Sequence, residues 1–150
     1  VELSADARIL PNLKAGANFS WFEGKLKSST GKWDTYMSNI SIPAAKLGMY
    51  VNYSPIENTY LQLQYVHTGK RNRFAPNASG VYNEGEGVVK RINLLNLMAG
   101  VKVKSWDFSL AVSNLLNYTY YTPASMLMAR NAEYAHADGR NITLTVGFRY

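Results

Sequence analysis

Apolar and polar side chains alternate along most of the 150 residues, in segments separated by turn-rich stretches. The last segment shows it most plainly. Ile142, Leu144, Val146, Phe148 and Tyr150 are interleaved with Thr143, Thr145, Gly147 and Arg149. A period of two places every apolar group on one face of an extended strand. The same pattern predicts strands at about Glu2–Ile9, Leu13–Phe22, Ala44–Tyr53 and Thr59–Thr68. A fifth carries Leu95, Leu97, Ala99, Val101 and Val103 against Asn96, Met98, Gly100 and Lys102. A sixth carries Trp106, Phe108, Leu110 and Val112 against Asp107, Ser109 and Ala111. Counting Ile142–Tyr150, about seven strands are expected, each near the roughly 9–11 residues that cross a bilayer at a tilt.

The connections carry a separate signal. Short links at Pro11-Asn12, Ser54–Glu57 and Lys104-Ser105 alternate with long ones at about 24–42, 70–91 and 118–140. Outer-membrane barrels have this asymmetry, with short periplasmic turns and long extracellular loops. An ending that is apolar on one face, polar on the other and aromatic at the last residue suits the closing strand of such a barrel. With the C-terminus in the periplasm, Tyr53, Trp106 and Tyr150 fall at periplasmic strand ends and Trp21 and Tyr65 at extracellular ends. All five share the apolar parity, as aromatic girdles require. The expected class is all-β: an antiparallel transmembrane β-barrel in the outer membrane of a Gram-negative bacterium.

Composition agrees. Apolar residues make up 47% of the chain, yet mean hydropathy is only -0.21, because alternation hides hydrophobicity from window averages. No apolar run approaches the roughly 20 residues of a spanning helix. With 0 Cys there is neither a disulfide framework nor a cysteine metal site, and no cofactor is expected. The formal charge of +6 is spread over strands and loops, so lipopolysaccharide or an anionic ligand explains it and nucleic acid is not an expected partner. Seven is odd, whereas closed bacterial barrels have even strand counts. The segment is therefore expected to be the C-terminal portion of a larger barrel.

Several short stretches resemble one family. Asn114-Leu115-Leu116-Asn117-Tyr118-Thr119-Tyr120 resembles the stretch that ends the penultimate strand of TonB-dependent outer-membrane receptors. Gly139-Arg140 before the last strand, and the terminal Phe148-Arg149-Tyr150, are similar to the family's closing pattern. So are Asn39-Ile40-Ser41-Ile42-Pro43, Lys46 and the Tyr53-Ser54-Pro55 turn. The resemblance covers essentially the whole chain. It implies a 22-stranded barrel whose plug domain, first strands and TonB box lie outside these residues. The implied partners are the rest of the barrel and plug, TonB, outer-membrane lipid and lipopolysaccharide, an extracellular small-molecule ligand, and the barrel-assembly machinery. That machinery would read Phe148 and Tyr150.

Candidate ligand-binding residues follow from charge and position. Lys70, Arg71, Arg73 and Arg130 lie on long loops and could capture an anionic iron chelate by charge-assisted hydrogen bonds; lipopolysaccharide contact explains them equally well. His136, in His136-Ala137-Asp138, is a further loop candidate. It lacks the second acid and positioned water of a protease, so no enzyme activity is expected. His67 is expected at the membrane interface, and Met126-Leu127-Met128 as loop packing rather than soft copper ligands. The expected function is TonB-dependent uptake of a ferric siderophore or similar scarce nutrient. The alternative is a complete small barrel with an adhesive or structural role, which needs an eighth strand within residues 118–138.

Overall fold

The computed structural model describes residues 1–128 and 135–150. Seven strands form one antiparallel sheet: β1 (Glu2–Leu10), β2 (Leu13–Ser20), β5 (Lys46–Tyr53), β6 (Thr59–Thr68), β7 (Ile92–Val103), β8 (Trp106–Ser113) and β9 (Asn141–Phe148). Their order in the sheet is their order in the chain, with β1 and β9 at opposite edges. The expected seven strands are all present. The first long loop also holds a small hairpin, β3 (Lys25–Lys27) with β4 (Trp33–Tyr36), and the third holds a short helix, α1 (Pro123–Met128).

Register carries the apolar parity across every strand boundary. Ala5 faces Ala17, Ala17 faces Met49, and Met49 faces Tyr65. Tyr65 faces Leu95, while Ala99 faces Leu110 and Leu110 faces Leu144. The resulting apolar face is exposed over most of its area, with Leu3, Phe19, Met49, Leu63, Leu110 and Leu144 all open. A water-soluble protein rarely leaves such a continuous surface uncovered. One local departure occurs in β1. A bulge between Arg8 and Leu10 puts Leu10, and not Ile9, opposite Leu13.

The other face is polar and closely fitted. Tyr50 lies over Gly16 and donates its hydroxyl hydrogen to Asp6. Tyr60 lies over Gly100 in the same manner, and Asn18 covers Gly48. Asn96 donates to Gln64 across β7 and β6 at 3.1 Å. A large ring on one strand thus fills the space a glycine leaves on the next, which restores packing that glycine otherwise forfeits in a sheet.

Turn chemistry places all long connections at one end. Two-residue links join β1 to β2 and β7 to β8, the second with Lys104 at φ 53°. Residues 54–58 join β5 to β6, ending on Asn58 at φ 61°. The long connections 21–45, 69–91 and 114–140 leave from the opposite end. One difference from the expected strands has a clear cause. β7 begins at Ile92 instead of Leu95, because Ile92 and Leu94 are apolar on the polar face and Asn93 is polar on the apolar one. Those two apolar groups belong to a small loop core: buried Ala44, Val89, Ile92, Met126 and Leu127, with Leu94, Tyr120 and Tyr121 packed against it. Helix α1 presents Met126 and Leu127 to this core. It starts at a Thr122 cap, whose hydroxyl accepts Ser125 N–H at 3.1 Å, followed by Pro123 in the first turn. Among the described residues, 118–138 contain no eighth strand, and β1 and β9 do not meet.

The Tyr60–Gly100 fit gives a direct test. A side chain at Gly100 would overlap the Tyr60 ring, so Gly100→Val is expected to cost about 1–3 kcal/mol in denaturant unfolding of the folded protein. Adding Tyr60→Ala should recover part of the loss. An unchanged unfolding midpoint for Gly100→Val would contradict the fit.

Candidate functional site

Two of the long loops are tied together at their roots by one charged clasp. Arg71 lies three residues past the end of β6 and pairs backbone to backbone with Val89, N–H to O at 3.0 Å in both directions. This pairing extends the sheet past Thr68 and turns the Arg71 side chain inward, where it is only 6% exposed. Its Nε donates to Asn39 Oδ1 at 2.8 Å and its Nη2 to Glu23 Oε1 at 2.9 Å. Arg73 Nη2 donates to the other carboxylate oxygen of Glu23, also at 2.9 Å. Buried Asn39 completes the arrangement: its Nδ2 donates to Gly87 O at 2.6 Å and its N–H to Gly85 O at 2.7 Å. Loop 21–45 is thereby fastened to both ends of loop 69–91. The third loop joins through Met126, whose sulfur accepts Lys90 N–H at 3.1 Å.

A second fastening holds the base of the last loop. Asn114, at φ 51° and nearly buried, accepts Tyr118 N–H at 2.8 Å and donates to Tyr118 O at 2.8 Å. Asn117, at φ 52°, accepts the N–H of Arg140 at 2.9 Å. Asparagine tolerates the left-handed conformation and bonds its own local backbone. The Asn114–Tyr120 stretch thus ends β8 and aligns the residue that precedes β9.

The sequence-derived candidates have different fates in space. Lys70 and Arg73 are exposed beside the clasp, whereas Arg71 is its buried centre. His136 is remote in sequence from them; it bridges to Tyr121 and packs on that ring at 4.6 Å between centroids. Lys90 Nζ lies 5.5 Å from the same ring. Arg130 lies outside the described residues. Tyr53 and Trp106 occupy strand ends away from the long loops, and Tyr150 follows β9 at that same end. Trp21 and Tyr65 lie toward the loops. Trp106 packs against Phe148 at 4.8 Å and Phe108 at 6.1 Å. His67 shares the apolar parity with Tyr65, and both bond Asn93 Oδ1, at 2.6 and 2.9 Å. Among the described residues, no three His, Asp or Glu side chains converge as metal ligands would.

Glu23 and Tyr36 were not singled out by sequence reasoning, and Asn39 was read there only as part of a family-like stretch. Tyr36 has Lys25 Nζ 5.0 Å and the Arg73 guanidinium 5.3 Å from its ring centre, cation–π distances on the loop surface. Nothing in the spacing of Glu23, Asn39 and Arg71 marks them as partners, since they lie 32 and 48 residues apart. The clasp holds loops 21–45 and 69–91 in one geometry, and its two arginines outnumber its single carboxylate.

The hydrogen bond from Arg71 is the main reason the Glu23 carboxyl titrates below the ordinary carboxylate range; Arg73 adds to it, and burial opposes. A carboxyl depressed in the folded state contributes stability above its unfolded pKa and loses it as pH falls through the folded one. Loops 21–45 and 69–91 are therefore expected to keep their protease resistance through the ordinary carboxylate range and to lose it only as the pH falls below that range. Glu23→Gln should be protease-sensitive already at neutral pH, since it leaves buried Arg71 without its counter-charge. Equal cleavage of both proteins at neutral pH would contradict the clasp.

No protein-family model matches the sequence. Solved structures do match its backbone. The copper transporter OprC superposes with a TM-score of 0.74 at 18% identity, over 98% of this chain and 22% of that one. The ferric-catecholate import receptor Fiu of E. coli K12 gives 0.66 at 16% identity, over 99% of this chain and 20% of that one. A mutant of the ferric enterobactin receptor PfeA from Pseudomonas aeruginosa gives 0.68 at 15%, over 98% and 21%. The chain spans about a fifth of the length of each. Its fold is that of a seven-strand portion of a TonB-dependent receptor barrel.

Proposed function

We propose that this chain forms the C-terminal portion of the wall of a TonB-dependent outer-membrane receptor that imports a ferric siderophore or a similarly scarce nutrient. The observation that carries this reading is the division of the sheet. One face is apolar across all seven strands, the other is polar, and every long loop leaves from the same end. In a bilayer that arrangement puts the apolar face against lipid and the polar face toward a lumen. Short turns and the C-terminus then face the periplasm, with Tyr53, Trp106 and Tyr150 at that interface and Trp21 and Tyr65 at the outer one.

Function in this reading is binding and gated passage, without bond chemistry. The clasped loops give an extracellular ligand a fixed surface, with His136 and Arg130 as its candidate contacts alongside the cations of the clasp. Opening would be driven by TonB acting on a plug held inside the complete barrel. Phe148 and Tyr150 would serve the assembly machinery as the terminal aromatic signal.

These 150 residues hold 0 Cys, so single cysteines placed in them can read topology in intact cells, with the unsubstituted whole protein as the labelling control. Ser79→Cys, in a long loop, is expected to react with a membrane-impermeant maleimide. Glu57→Cys, in a short turn, should react only after the cells are broken. The reverse pattern would overturn the orientation. Adding Phe148→Ala with Tyr150→Ala should lower the surface-labelled amount. Loss of the whole protein is expected to abolish uptake of iron-loaded catecholate or hydroxamate chelates; undiminished uptake of both would overturn the nutrient assignment.

A further inference from the structure

One transverse row of the polar face runs across five strands. Asp6 lies opposite Gly16, Gly16 opposite Tyr50, Tyr50 opposite Gln64 and Gln64 opposite Asn96. The two ends of the row are made differently. At the β1 end Tyr50 reaches over Gly16 and spends its hydroxyl on Asp6. At the β7 end Asn96 Nδ2 donates to Gln64 Oε1 at 3.1 Å, and Asn96 Oδ1 accepts the N–H of Asn114 at 3.0 Å. Asn114 is the nearly buried residue that clamps Tyr118 and opens the third long connection. The row therefore continues from the polar face of the sheet into the base of loop 114–140.

The amide of Asn96 is one planar group, so its two bonds cannot be set separately. A backbone N–H only donates, which fixes the amide with Oδ1 toward Asn114. Nδ2 then points at Gln64, and Gln64 must present its oxygen. The Nε2 of Gln64, on an exposed side chain, has no hydrogen-bond partner among the described residues. Turning the Gln64 amide over would set donor against donor, either at Asn96 or, once Asn96 turns with it, at Asn114. Of these arrangements only the first holds the loop base. Coupling between two places requires such an element, with discrete arrangements that each place can bias.

We propose that Asn96 is a positioning residue that ties the hold on loop 114–140 to the hydrogen bonding of Gln64 on the lumen side. An occupant of the lumen that offers a carbonyl or carboxylate oxygen to Gln64 Nε2 fixes that amide and tightens the loop base. An occupant that offers an ammonium or an N–H competes for Oε1 and loosens it. The base of the third loop thereby responds to what stands against the wall, through two side-chain amides. This coupling rests on the lumen reading of the polar face and involves none of the clasp residues.

The test uses the whole protein that contains this chain, in lipid nanodiscs at neutral pH, with hydrogen exchange read by mass spectrometry. The readout is exchange across residues 114–122 relative to residues 46–53, so that a general loss of stability cancels. Gln64→Glu offers only acceptor oxygens and is expected to leave the ratio at or below the wild-type value. Gln64→Lys only donates and is expected to raise it on the order of fivefold, the worth of one hydrogen bond. Asn96→Asp accepts at both oxygens, so adding it to Gln64→Lys should return the ratio to the wild-type value. A merely steric effect of the lysine would persist in that double variant. If Gln64→Lys does not fold, Gln64→Met, which offers no acceptor oxygen, should still raise the ratio severalfold. Equal ratios for Gln64→Glu and the lysine or methionine variant, or no return with Asn96→Asp, would overturn the coupling. A wrong membrane reading would show separately, as cysteine labelling from the reverse sides.

Discussion

A strand with one apolar and one polar face has a single acceptable register against its neighbour, because a slip of one residue turns the whole face over. Everything else in this chain depends on that constraint. It is met at each of the six strand pairings of the main sheet, from Ala5 opposite Ala17 to Leu110 opposite Leu144. On the polar side the same register brings Tyr50 over Gly16 and Tyr60 over Gly100. Those two fits reinforce the choice, since a slip would strand each ring against a side chain. The apolar face gains nothing from this packing in water. It becomes stabilising only where the surrounding medium is itself apolar.

The loops obey a different physics. Beyond the sheet there is water, so side chains and buried backbone must find partners within the loops. Arg71 does this for two of them, through Glu23, Asn39 and the paired backbone of Val89. The small core of Val89, Ile92, Met126 and Leu127 binds the third. Loops of this length are ordinarily the least ordered parts of a barrel, and here they are cross-linked by a buried ion pair and an apolar cluster. Breaking one partner of such a pair is costly because the other charge stays behind. Loop geometry and loop chemistry are thus set by the same few residues.

The sheet was legible in the chain because period 2 is a local signal. Ile142 to Tyr150 needs no neighbour to be read as a strand, and the short turns at Pro11-Asn12 and Lys104-Ser105 mark where each strand ends. The start of β7 was missed where Ile92 and Leu94 serve the loop core instead of the apolar face. The hairpin β3–β4 escaped because strands of three and four residues carry too few positions to show alternation. Helix α1 was not expected, because a Thr122 cap followed by Pro123 is a weak signal among loop residues. The clasp was illegible for a stronger reason: Glu23 and Arg71 meet across 48 residues. Arg71 looks from sequence like an exposed loop cation, and only the backbone pairing with Val89 turns it inward. Asn114 was read as part of a family resemblance, and its structural task, closing the turn onto Tyr118, became visible only with its left-handed backbone.

An open seven-stranded sheet leaves β1 and β9 each with one row of unpaired backbone groups. In lipid every such group costs several kcal/mol, so the membrane reading requires those rows to be paired by strands outside this chain. Amide hydrogen exchange of the whole protein in a lipid bilayer tests this directly. The expected result is that the edge-facing amides of Glu2–Leu10 and Asn141–Phe148 exchange as slowly as those of β5 and β6 in the middle of the sheet. Fast exchange along both outer rows, with β5 and β6 still protected, would mean free edges and contradict the reading of this sheet as an arc of a larger membrane barrel.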